Sequence, residues 1–116
     1  MDHERFSIRL EHPAEFDGVV VVEVAGEVDL RTAPELEREL LRLTGDAAGF
    51  IVVDLSGCAF MDSSALNAIV HAKTAADAAQ CRFALVCPSE NLMRVLRIAG
   101  LDRVLEIHDS REAVVA

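Results

Sequence analysis

Tryptophan and tyrosine are absent from the 116 residues, and phenylalanine occurs only five times. The core must therefore be built from Val, Leu, Ile and Ala. Positive charge is also scarce. Eleven Lys and Arg face twenty Asp and Glu for a net charge of −9, and Lys73 is the one lysine. Such an excess repels phosphate backbones and anionic headgroups, which argues against direct nucleic-acid or membrane-surface binding and suits a partner with basic patches. No apolar run is long enough to span a bilayer. Met1-Asp2-His3-Glu4-Arg5 has no apolar h-region, so a secretory signal is not expected. Cys58, Cys81 and Cys87 are odd in number and sit in apolar surroundings. They read as buried free thiols in a reducing compartment, and the expected address is the cytoplasm. Long linkers, low-complexity tracts and internal repeats are lacking too. With 52% hydrophobic residues, this length fits a single domain over 1–116 with its core at about 6–115.

What is present is an alternation of apolar strands and amphipathic helices. Phe6 to Leu10 alternates apolar and polar, Glu11 to Gly18 reads as a loop, and Val19 to Val24 is a β-branched run that ends in Gly26-Glu27-Val28-Asp29. Thr32-Ala33-Pro34-Glu35 has the spacing of a capping box, with proline tolerated in the first turn. Leu36, Leu40 and Leu43 then make one helical stripe. Phe50 to Leu55 is a third strand. A helix is expected from near Ser63 to about Ala79, with Leu66, Ile69, Val70 and Ala76 inward. Arg82 to Cys87 is a fourth strand. Ser89 caps a helix whose apolar positions are Leu92, Val95, Leu96 and Ala99, and Gly100 stops it. Val104 to Ile107 is a short fifth strand, and Asp109 and Glu112 are spaced to cap a last helix. The class is α/β, with a mixed, mostly parallel sheet of four to five strands and about four helices.

Most site chemistries find no support. His3, His12, His71 and His108 are scattered, without metal-ligand spacing, so no metal or cofactor is expected. Phosphate-binding glycine motifs are missing. Ser63 and Ser64 do not lie in a G-x-S-x-G elbow, and His71 is eight residues along the helix from Ser63, about 12 Å in rise. An enzyme is not expected. A phospho-aspartate receiver based on Asp54 needs extra carboxylates after its first strand and a lysine on a later loop, whereas Lys73 falls mid-helix. Asp54 reads instead as a strand-end or turn residue.

The turn Met61-Asp62-Ser63-Ser64 remains. Asp62, Ser63 and Ser64 are each good helix caps. A helix N-terminus also tolerates an added anion, by about 0.3–1 kcal/mol at an exposed site, although Asp62 opposes it.

Four segments together resemble the STAS-domain family, specifically the bacterial anti-sigma factor antagonists. Gly26-Glu27-Val28-Asp29 is similar to that family's G-E-[LIV]-D signature, and Thr32-Ala33-Pro34-Glu35-Leu36 to its next segment. Val53-Asp54-Leu55-Ser56-Gly57-Cys58-Ala59-Phe60-Met61-Asp62-Ser63-Ser64 resembles the strand and turn leading to a phosphorylated serine, and Arg97-Ile98-Ala99-Gly100-Leu101 the end of the third helix. The resemblance runs from about Ser7 to Val114. It implies a partner-switching binding protein. The unmodified form binds an anti-sigma factor serine kinase and releases the sigma factor, phosphorylation on Ser63 abolishes binding, and a serine phosphatase restores it. The resemblance further implies that Glu27, Asp29, Asp62, Ser63 and Ser64 form the partner-facing surface. The alternative is a STAS subunit of a lipid-transport or stress-signalling assembly, in which Ser63 is only a cap. Ala65 stands where the family usually has glycine, and it favours a stiffer helix start.

Overall fold

The β-branched run from Val19 lies at the heart of the sheet. Residues 5–46 and 48–115 are described by a computed structural model. Met1 to Glu4, which include His3 and the segment read for a signal, lie outside the described residues, as do Ala47 and Ala116. The element order is β1 (Ser7–Glu11), β2 (Val19–Val28), α1 (Ala33–Gly45), β3 (Phe50–Met61), α2 (Ser63–Ala78), β4 (Arg82–Val86), α3 (Glu90–Ile98), a 3-10 turn (Leu101–Arg103), β5 (Glu106–His108) and α4 (Arg111–Val115). The five strands lie in the order β1-β2-β3-β4-β5. β1 is antiparallel to β2 and the remaining pairs are parallel, with Val22 beside Val53 and Val53 beside Leu85. The expected α/β class with a mixed, mostly parallel sheet therefore holds.

Strand order explains where the helices go. Each crossover advances the sheet by one strand in the same direction, and right-handed crossovers then place α1, α2 and α3 on one face. Packing agrees. Leu36 and Leu40 of α1, Ile69 of α2 and Leu96 of α3 share one core with Val22, Val24, Ile51 and Val53. On the other face, Val21, Val52 and Val86 form a smaller cluster with Val114 of α4, with Val19 and Phe50 packed against it. Because the order never reverses, the sheet has no switch-point crevice of the kind that binds nucleotides in doubly wound folds. A site at the strand ends is consequently a surface.

Several local readings are corrected. β2 continues past Val24 to Val28, and β3 past Leu55 to Met61. Register shifts after Glu23 and Gly26 let the two strands run on together as a bulged ribbon. Gly26 is required there. Its φ is +87°, and a Cβ at this position would lie 2.2 Å from the Arg5 carbonyl oxygen. The capping box at Thr32 does not form, because Thr32 already has helical dihedrals (φ −103°, ψ −21°). Its hydroxyl accepts from the Asp29 amide and donates to the Glu27 carbonyl, both at 2.9 Å.

The inner face of α2 is Ala65, Ala68, Ile69, Ala72 and Ala76, while Leu66 and Val70 are only half-buried. Alanines allow the close approach of α2 to α1 and the sheet. In α3, Leu92 and Leu96 are buried, Val95 is half-buried and Ala99 is exposed. Ser89 Oγ accepts from the Leu92 amide at 3.2 Å, and Gly100 stops the helix in the left-handed region (φ +76°). β5 starts later than expected, because residues 101–103 form the 3-10 turn and leave Val104 exposed. At α4 it is Ser110 Oγ, not Asp109, that accepts from the Ala113 amide, at 3.1 Å.

Asp54 is not a strand-end residue either. It is buried within β3 and ion-paired with Arg111. The three cysteines are free and buried, and burial pushes each thiol's pKa upward. Among the described residues, no helix is long and apolar enough to cross a membrane and no group of three His, Cys, Asp or Glu gathers to hold a metal.

Candidate functional site

The β2–β3 ribbon ends with Glu27 beside Phe60 and Val28 beside Met61. The loops carrying Asp29 and Asp62 therefore leave the sheet next to each other. The Asp62 amide donates to the Val28 carbonyl at 3.3 Å, which ties the start of α2 to the end of β2. Asp62 has extended backbone (φ −112°, ψ −170°) and is the N-cap. Its Oδ1 accepts from the amides of Ser64 at 2.9 Å and Ala65 at 3.2 Å. Of the three candidate caps, geometry selects Asp62, and neither serine hydroxyl is needed for that task.

Ser63 opens the first turn of α2 with its side chain exposed, whereas Asp62 and Ser64 are half-buried. Glu27 is half-buried near the ribbon's end. Asp29 Oδ1 accepts from the Arg31 amide at 2.9 Å and the Thr32 amide at 3.3 Å. The Arg31 amide is the chief reason that the Asp29 carboxyl sits below its usual range. Thr32 and the Arg31 charge assist against the opposing effect of burial. Glu27, Asp29, Asp62, Ser63 and Ser64 are thus all carried to one end of the β2–β3 ribbon. Among the described residues, no side chain hydrogen-bonds the Ser63 hydroxyl as an activating base would. Asp62 is committed to two amides, and His71 Nδ1 lies 3.1 Å from Glu37 Oε1.

One feature escapes sequence reasoning. An open groove of about 480 Å³ runs between α1 and α2, lined by Leu30, Pro34, Arg38, Leu41, Ser64 and Asn67 among others. Leu30 is 74% exposed and Leu41 38%. The available signal was Leu41, which stands off the Leu36-Leu40-Leu43 stripe.

The methyl group of Ala65 is fully buried. Ala65→Gly is expected to lower the unfolding free energy by about 1–2 kcal/mol, combining roughly 1 kcal/mol of helix propensity with about 0.8 for the lost methyl. Urea denaturation checks this; an unchanged midpoint would show that the first turn gains nothing from alanine.

Residues 13–114 match the family model of the STAS domain. The anti-sigma-B factor antagonist of Staphylococcus aureus (strain NCTC 8325 / PS 47) is 30% identical over 91 residues, which cover 78% of this chain and 84% of that protein. The anti-sigma-F factor antagonist RsfB of Mycobacterium tuberculosis (strain CDC 1551 / Oshkosh) is 30% identical over 105 residues, 87% of this chain and 85% of that protein. Among solved structures, an anti-sigma factor antagonist from Mycobacterium paratuberculosis superposes with a TM-score of 0.83 at 25% identity, covering 96% of this chain and 92% of that one. The five-stranded, mostly parallel sheet with its helices is the architecture of the STAS class. The chain belongs to the STAS-domain family, among its anti-sigma factor antagonists, which are not enzymes.

Proposed function

We propose that the unmodified chain acts in the cytoplasm as a one-domain antagonist. It binds an anti-sigma factor that is also a serine kinase, and so frees the sigma factor. Phosphorylation of Ser63 ends the binding, and a serine phosphatase restores it. The supporting observation is the exposed Ser63 hydroxyl directly after Asp62, whose carboxylate already occupies the Ser64 and Ala65 amides. A phosphoryl group on Ser63 adds about −1.5 to −2 charges. With those two amides held by Asp62, a phosphoryl group on the exposed Ser63 adds its charge at the surface beside the Asp62 carboxylate. Docking changes while the fold persists.

Incubation with the cognate kinase and Mg-ATP, read by intact mass, tests the modification. One phosphoryl group is expected on the wild type and on Ser64→Ala, and none on Ser63→Ala. An unmodified wild type would favour a STAS subunit of a lipid-transport or stress-signalling assembly. Phosphate retained on Ser63→Ala but lost from Ser64→Ala would move the switch to the neighbouring serine.

A further inference from the structure

From the α1–α2 groove we infer a second contact, distinct from Ser63, through which the anti-sigma factor is docked. An aliphatic side chain of that partner enters between Leu30 and Leu41, and an acidic residue beside it meets Arg38. The inference rests on the antagonist reading above and adds to it the chemistry that selects the partner.

Three observations carry it. First, the groove is continuous with the proposed switch. Ser64, which follows Ser63 on α2, forms part of its wall. A protein that covers the Ser63 hydroxyl therefore also covers the groove mouth. Second, the wall combines apolar and polar groups as a docking pocket does. Leu30, Ala33, Pro34 and Leu41 face the opening, while Glu37, Arg38, Ser64 and Asn67 complete it. Leu30 is 74% exposed and Leu41 38%, so both offer apolar surface at the opening. Apolar anchors seated in such pockets dominate binding energy, and polar surroundings contribute mostly by excluding water. Third, the charges at the groove are asymmetric. Glu37 Oε1 is engaged by His71 Nδ1 at 3.1 Å, whereas Arg38 is exposed and has no ion-pair partner among the described residues. At the groove Arg38 is therefore the cation open to a partner, while the turn at Ser63 lies beside the Asp62 carboxylate. A partner that presents an acidic group to Arg38 must keep that group clear of the Asp62 carboxylate at the turn. That polarity fixes its orientation on the surface.

The test uses the purified cognate kinase and the full chain. Binding is titrated in the presence of ADP, so that no phosphoryl transfer occurs, and the initial rate of Ser63 phosphorylation is measured separately. Leu30→Ser and Arg38→Glu are each expected to weaken binding about tenfold or more and to slow phosphorylation through a raised KM. Ile98→Ser is the control, since Ile98 is 81% exposed on α3, and its affinity is expected to match the wild type. Far-UV circular dichroism verifies that the variants are folded.

If the wild type binds the kinase but Leu30→Ser and Arg38→Glu bind within twofold of it, the groove is not a contact and the inference is overturned while the antagonist reading stands. Equal weakening by Ile98→Ser overturns it as well, because the effect would then not belong to the groove. A wild type that dimerises in sedimentation, with Leu30→Ser monomeric, would make the groove's occupant a second copy of the chain. Absence of any wild-type binding would remove the antagonist reading itself, and the inference with it.

Discussion

Ser63→Asp is expected to bind the anti-sigma partner at least about 100-fold more weakly than the unmodified chain, while Ser63→Ala stays bound whether or not ATP is present. The size follows from like charges brought together at an interface, which cost several kcal/mol, against 1.4 kcal/mol for each tenfold change in affinity. Asp62 stands directly before Ser63, so a carboxylate at 63 sets two like charges side by side where a partner closing over the turn excludes water. The same geometry predicts where the energy does not appear. Ser63 is exposed and makes no cap, and Asp62 holds the first amides of α2. Unfolding free energies of Ser63→Asp and wild type should therefore agree within about 0.5 kcal/mol. Part of the binding loss should be recovered at high salt, because exposed charges are screened over about 10 Å at 0.1 M ionic strength. Titration calorimetry at two salt concentrations, beside urea melts, checks all three statements. If Ser63→Asp bound as tightly as wild type, or lost binding only because it unfolded, the electrostatic switch would be wrong.

The parts of the fold that were legible are those in which burial is settled locally. The Leu36-Leu40-Leu43 stripe reveals its face through periodicity, and the β-branched run from Val19 to Val24 reveals a strand buried on both faces, since each residue's partner is the nearest layer. Legibility ends where two chemically adequate solutions compete. Thr32 and Glu35 have capping-box spacing, yet the Thr32 hydroxyl is taken by the Asp29 amide and the Glu27 carbonyl. That outcome depends on how β2 exits the sheet. The ribbon beyond Val24 and Leu55 was missed because its bulges break alternation, and a bulge is specified by its partner strand. At the site, Asp62, Ser63 and Ser64 are equivalent as caps by residue type, and only backbone geometry selects Asp62. The groove was invisible for a different reason. It is a relation between α1 and α2, and no single segment contains it.

A contact still more remote from local pattern is the one between Arg111 and β3, and Arg111→Gln is expected to lower the unfolding free energy by about 2 kcal/mol at neutral pH. Arg111 donates from Nε to Asp54 Oδ2 and from an Nη atom to Glu11 Oε1, each at 2.6 Å, and from its other Nη to Glu23. One guanidinium thus ties α4 to three adjacent strands on the sparsely covered face of the sheet. Removing one partner of a buried pair costs about 3–5 kcal/mol, but the Arg111 side chain is 36% exposed, so solvent screening reduces the loss.

Asp54 decides the pH dependence. Burial pushes its carboxyl upward, yet hydrogen bonds from the Ser56 hydroxyl and amide, together with Arg111, outweigh burial and hold it below the usual carboxylate range. A depressed carboxyl contributes stability in full above its unfolded value of about 3.9, and loses it as pH falls through the lower folded value. In Arg111→Gln, Asp54 keeps Ser56 but loses its counter-charge, and Glu11 and Glu23 lose theirs. Wild type and variant should accordingly differ most near pH 7, and the gap should narrow toward pH 3 as Asp54 protonates first in the unfolded chain. Adding Asp54→Asn to Arg111→Gln should recover part of the loss, because the buried uncompensated charge is then gone. Urea melts at the two pH values decide the matter. A gap of equal size at pH 7 and pH 3 would mean that Arg111 holds α4 by packing of its aliphatic stem rather than by charge.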